Sequence, residues 1–70
     1  MPSYRFKFSS EVYSSRKRMK LTQEQAAEMF DISTRWYQVI EKGERLPGAE
    51  LMLTMIAVFE IDGKNIKGDD

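Results

Sequence analysis

The 70-residue sequence contains neither cysteine nor histidine. Without cysteine, no disulfide or thiolate metal site can staple the chain. Without histidine, Cys/His zinc sites and imidazole acid–base catalysis are excluded as well. No apolar run approaches the roughly 20 residues of a membrane-spanning helix. The start, MPSYRFKFSS, alternates instead of forming the apolar block of a signal peptide. These absences predict a cytoplasmic protein with no membrane partner. There is also no Gly-rich phosphate loop and no nucleophile–base set, and a chain this short leaves little room for a pocket. No enzyme, no cofactor, no metal and no small-molecule substrate are therefore expected. Net charge is absent too, because 11 basic and 11 acidic residues cancel. The cancellation hides a division. Residues 1–20 carry six basic residues against Glu11 alone, and residues 21–70 carry five against ten acidic ones. A nucleic-acid binder is usually basic, yet a folded domain can still gather local positive charge on one face.

What is present is organised around Leu21 to Gly43, LTQEQAAEMFDISTRWYQVIEKG. Thr22 with Gln25 three residues on is a capping signal. The helix it opens, about Thr22–Phe30, places Ala26, Ala27, Met29 and Phe30 as its apolar residues. Asp31 to Thr34 break the pattern. A second helix, about Ser33–Lys42, sets Tyr37, Ile40 and Glu41 on one side and stops at Gly43. Two short helices so closely joined must cross steeply, and the alanines let them approach. That is the geometry of a helix-turn-helix, whose second helix can enter the major groove of DNA. At 100° per residue, Arg35, Val39 and Lys42 project outward with Gln38 beside them, and Thr34 is exposed in the first turn. Thr34, Arg35, Gln38 and Val39 are the candidate base-reading residues. Arg35 has the chemistry for guanine O6 and N7, Gln38 for adenine or a phosphate, and Val39 for a thymine methyl. Lys42 suits phosphate. Ser33 and Trp36, at the start and flank of the helix, join it as candidate backbone contacts. Trp36 has a second possible role, covering the gap between this helix and the N-terminal aromatics.

Arg16, the run Leu21-Thr22-Gln23-Glu24-Gln25, Ala27, Ile32-Ser33, Ile40-Glu41-Lys42-Gly43 and Pro47 together resemble the lambda-repressor-like, Cro-type (XRE-like) helix-turn-helix family of phage and bacterial regulators. The resemblance covers roughly Val12 to Ile61. It implies an all-α, compact four- to five-helix DNA-binding domain. It also implies that Gln23 touches the DNA backbone, that Arg45 lies in a loop along that backbone, and that Arg16 pairs with Glu41. The sequence departs from the family at Asp31 and Glu60, where glycine is usual, and at Ser15, where a large aliphatic residue is usual.

Around this centre, residues 1–9 are expected to form a short extended arm, because Tyr4-Arg5-Phe6-Lys7-Phe8 alternates with period two. Such an arm has three possible roles: Arg5 and Lys7 reaching DNA, pairing with another strand such as the Ile61–Ile66 tail, or Phe6 and Phe8 covering the core. Residues 10–61 form the domain, with the helix-turn-helix at 22–42. Ser9 or Ser10 caps the first helix, with Glu11 in its first turn and Val12, Ser15, Arg16 and Met19 on one face. Leu46 folds back on the core and Ile32 plugs it. The last helix, about Gly48–Glu60, is apolar nearly all round and offers a homodimer surface, through residues 48–60 or the termini. Residues 62–70 form a short tail, in which Gly63 disfavours a fifth helix and the end frays.

The function this reading favours is a sequence-specific DNA-binding transcriptional regulator, bacterial or phage-encoded, with double-stranded DNA as partner. The alternative is a protein-interaction module, or antitoxin-like partner, with the same fold and weak or no DNA binding.

Overall fold

Val12 lies four residues after Phe8, Ser15 and Arg16 lie three and four after Val12, and all four residues are buried. That spacing is the inward stripe of a helix. In the computed structural model, which describes residues 4–61 and side chains from Phe6 onward, α1 runs over Tyr4–Arg18. Residues 4–9 of the segment expected as an extended arm are therefore the start of α1. Alternation places Phe6 and Phe8 on roughly opposite sides of a helix, so one of them can serve the core without any strand. Phe8 is buried and Phe6 is 55% exposed. Ser9 is no cap: its hydroxyl donates to the Phe6 carbonyl at 3.0 Å inside the helix. Glu11 falls in the helix interior, and no acidic residue occupies the first turn of α1. Met19 lies beyond the helix and is exposed. The expected roles of the Arg5 side chain and of the 62–70 tail, including its fraying and any pairing, lie outside the described residues.

Arg16, Lys17 and Arg18 close α1, where cations suit the negative end of the helix dipole. Lys20 turns the chain with φ 59°, and the Leu21 amide donates to the Arg16 carbonyl at 3.1 Å. Then α2, Gln23–Met29, begins on the full capping box. The Thr22 hydroxyl accepts from the Gln25 amide at 3.0 Å, and the Gln25 side chain accepts from the Thr22 amide at 2.8 Å. Ala26 and Ala27 are buried, so α3 seats closely against them. Met29 is exposed, and Phe30 takes the inward position one residue later.

Asp31 adopts the left-handed conformation with φ 59° where a glycine would be effortless. Ile32 follows, half-buried against the core. Ser33 then caps α3, Thr34–Glu41, its hydroxyl accepting from the Trp36 amide at 3.0 Å. Tyr37 and Ile40 point inward. Gly43, with φ 78°, ends this segment. A Cβ there would come within 2.7 Å of the Phe6 ring, so the N-terminal turns of α1 press on the chain leaving α3. In the following loop Leu46 is exposed and Pro47 is buried, the reverse of the expected inward leucine.

The fourth helix, α4, spans Ala49–Phe59 and leaves on Glu60 in the left-handed conformation. Met55 and Phe59 are its fully buried residues, and the Phe59 ring meets Phe30 edge-on at 5.1 Å. Ser15 and Arg18 of α1 donate to the Phe59 carbonyl at 3.4 and 3.0 Å, satisfying an otherwise unpaired helix end. The protein is all-α, with four helices and no strand among the described residues. The core gathers Phe8 and Val12 from α1, the two alanines and Phe30, Tyr37 and Ile40 from α3, and Met55 and Phe59 from α4.

Candidate nucleic-acid interface

The core dictates which way α3 faces. Because Tyr37 and Ile40 are sunk in it, the opposite side must look outward. Arg35 and Lys42 are exposed there, and Thr34, Gln38 and Val39 are half-buried on the same face. Arg45 is exposed in the loop after the helix. Trp36 is half-buried and packs against the core cluster. Ser33 is exposed, with its oxygen used as the cap.

Beneath this face lies a polar network centred on Glu41. The Arg16 guanidinium reaches it from α1 in a fork, Nε to Oε2 at 2.8 Å and Nη2 to Oε1 at 3.0 Å. The remaining guanidinium nitrogen, Nη1, donates to the Leu21 carbonyl at 2.9 Å. Tyr37 donates its hydroxyl to Oε2 at 2.7 Å, one helical turn away along α3. Gln23, the first residue of α2, donates Nε2 to Oε1 at 2.9 Å. Its carbonyl oxygen in turn accepts Nε2 of Gln38 at 3.0 Å. Thus α1, α2 and α3 are tied through one carboxylate. The Arg16 and Glu41 side chains are only 11% and 6% exposed.

The electrostatics follow from that geometry. Burial pushes the Glu41 carboxyl upward, but donors from Arg16, Tyr37 and Gln23, together with the Arg16 charge, outweigh it and hold it below the usual carboxylate value. Tyr37 is pushed well above the ordinary phenol value, first by burial and then by its bond to the Glu41 carboxylate. Arg16 is raised further, chiefly by its hydrogen bond to Glu41. No buried side-chain polar atom among the described residues lacks a partner.

Two of the outward candidates are therefore not free ends. Both ends of the Gln23 amide are engaged within the protein, so contact with a phosphate must draw on its second N–H. Gln38 is fastened to Gln23. Sequence reasoning missed this glutamine pair, since two residues 15 apart share no periodicity. The Tyr37–Glu41 bond did have a signal, the i, i+4 spacing. Arg16 also lies near the Tyr13 ring, 5.4 Å from its centroid, and Lys17 is 6.0 Å from it. An aromatic face thus meets the basic end of α1.

An open depression of about 470 Å³ lies beside the α2–α3 turn, lined by Glu24, Glu28 and Asp31 among others. Among the described residues no group of side chains is suited to hold a metal, and no helix is long and apolar enough to cross a membrane.

A family model described as helix-turn-helix matches residues 12–64. No curated relative and no solved structure matches the chain.

Proposed function

The chain belongs to the lambda-repressor-like helix-turn-helix family, whose members are DNA-binding regulators, and from that premise we propose that it is a sequence-specific transcriptional regulator that lays residues 33–42 in the major groove. The observation that carries this reading is the division of α3. Its inner side is locked by Tyr37, Ile40 and the Glu41 network, while Arg35, Gln38 and Val39 stand on the side left open. Arg35 serves as the guanine reader, Val39 as a thymine-methyl contact, and Thr34 as a further contact at the helix start. Lys42, Arg45, Ser33, Trp36 and the spare N–H of Gln23 set the register on phosphates. A cytoplasmic setting and a bacterial or phage origin accompany this reading. Nothing in the arrangement calls for catalysis.

Arg35→Ala tests the base-reading role. On a selected duplex it should cost roughly 1–3 kcal/mol and relax specificity at one base pair. Equal loss on every duplex would reduce Arg35 to a phosphate contact.

A second reading, a protein-interaction module, draws on α4. Leu53 is 67% exposed and Val58 41% exposed, with Ala57 open between them. The same face is the proposed seat of a homodimer, which as a DNA reader would span half-sites about 34 Å apart. Salt-sensitive affinity for duplex DNA separates the regulator from a module that kept only the fold.

A further inference from the structure

A carboxylate can only accept hydrogen bonds. Glu41 therefore dictates which end of the Gln23 amide faces it. The NH₂ group must turn toward Oε1, as it does at 2.9 Å, and the Gln23 carbonyl oxygen must point away. That oxygen meets Gln38, and only the NH₂ end of Gln38 can answer it, as it does at 3.0 Å. The orientation of both amides thus follows from the chemistry of one buried carboxylate. Glu41 itself is held in place by Arg16, which has only donors to offer, and by Tyr37, whose single hydroxyl proton goes to Oε2.

Gln38 is left with one carbonyl oxygen and one N–H. Adenine offers a matching pair in the major groove, an N6 donor beside an N7 acceptor. Guanine offers two acceptors, O6 and N7, and needs two donors, of which Gln38 has one to spare. We infer that Glu41, acting through Gln23, fixes the donor–acceptor sense of Gln38 and makes it select adenine over guanine. Gln38 is the specificity-determining residue of this relay, and Gln23 and Glu41 are positioning residues. The inference rests on the proposed major-groove docking of α3 and adds to it a named base preference and its cause. Removing Gln23 frees the Gln38 amide to turn over or to present both N–H groups, so the preference at that pair should relax, while the loss of the Gln23 phosphate contact weakens binding to every sequence alike.

The test is selection from a random-sequence duplex pool with the full chain and its Gln38→Ala and Gln23→Ala variants. The base pair whose preference disappears in Gln38→Ala marks the pair that Gln38 reads. At that pair the unaltered chain should favour adenine over guanine by about tenfold, and Gln23→Ala should bring the ratio within about threefold, with the base ratios at other positions kept and overall affinity lowered by the lost phosphate contact. Gln23→Ala leaves Glu41 three other hydrogen bonds, and circular dichroism checks that it folds. Guanine preferred at the Gln38 pair of the unaltered chain overturns the inference whatever the variants do. So does an adenine preference that persists in folded Gln23→Ala, or a Gln38→Ala profile identical to that of the unaltered chain. In each of those cases enrichment itself still supports DNA recognition. A pool with no enrichment at all overturns the regulator reading and the inference together.

Discussion

Glu41 accepts four hydrogen bonds from three side chains drawn from α1, α2 and α3. Its truncation strands a buried guanidinium, and breaking such a pair from one side typically costs about 3–5 kcal/mol. A domain of this size has roughly 4–10 kcal/mol in all. Glu41→Ala is therefore expected to remove most of the stability, read as a collapse of the urea midpoint. The pH dependence has a definite sign. Because the folded carboxyl sits below its ordinary value, its contribution is present above about pH 4.5 and is lost as pH falls through the lower folded value. The urea midpoint should fall as pH is lowered from 5 toward 3. Tyr37 behaves in the opposite sense, contributing below about pH 10 and losing that contribution as pH rises beyond it. Gly43 is a third sensitive residue. Its left-handed backbone makes Gly43→Ala cost about 1–2 kcal/mol. The Phe6 ring it would crowd is half exposed and can swing aside, so adding Phe6→Ala should recover little of the loss.

At the scale of elements, the start of α2 and the end of α3 were legible because each carries its own chemistry. Thr22 with Gln25 and Gly43 are those local signals, and α2 starts and α3 stops within two residues of them. The start of α1 was not legible. Its aromatic–basic alternation satisfies a strand pattern, and only tertiary packing of Phe8 over Val12 decides for helix. The exposure of Leu46 was hidden for a related reason: an apolar neighbour, Pro47, claims the inward place, which depends on the angle between elements. Three helix exits use a non-glycine residue in the left-handed conformation: Lys20, Asp31 and Glu60. Such a residue carries about 1–2 kcal/mol of strain, and glycine costs about 0.5–1 kcal/mol in lost chain freedom. Lys20→Gly is thus expected to stabilise the protein modestly, by up to about 1 kcal/mol. A lower melting midpoint for this variant would show that the lysine side chain makes up for its strained backbone.

Over the whole molecule, zero net charge coexists with a basic α1 terminus and the cations Arg35, Lys42 and Arg45 at and beyond α3. The outward face of α3 was legible because 3.6-residue periodicity fixes it once Tyr37 and Ile40 are inward. The glutamine relay beneath it was not, because amide orientation depends on partners that the fold brings from other helices. The exposed side of α4 makes a separate prediction. Leu53→Lys should change monomer stability by less than about 0.5 kcal/mol, since the side chain is largely solvated. It should weaken any self-association through this face, as followed by sedimentation. The central claim, that α3 is the face offered to duplex DNA, is tested most directly by amide chemical-shift titration with random-sequence duplex at low and then higher salt. Shifts gathered on residues 22–24, 33–39 and 42–46 and fading with salt are the predicted result. A spectrum that ignores DNA even at low salt, or that responds only along α4, would contradict it.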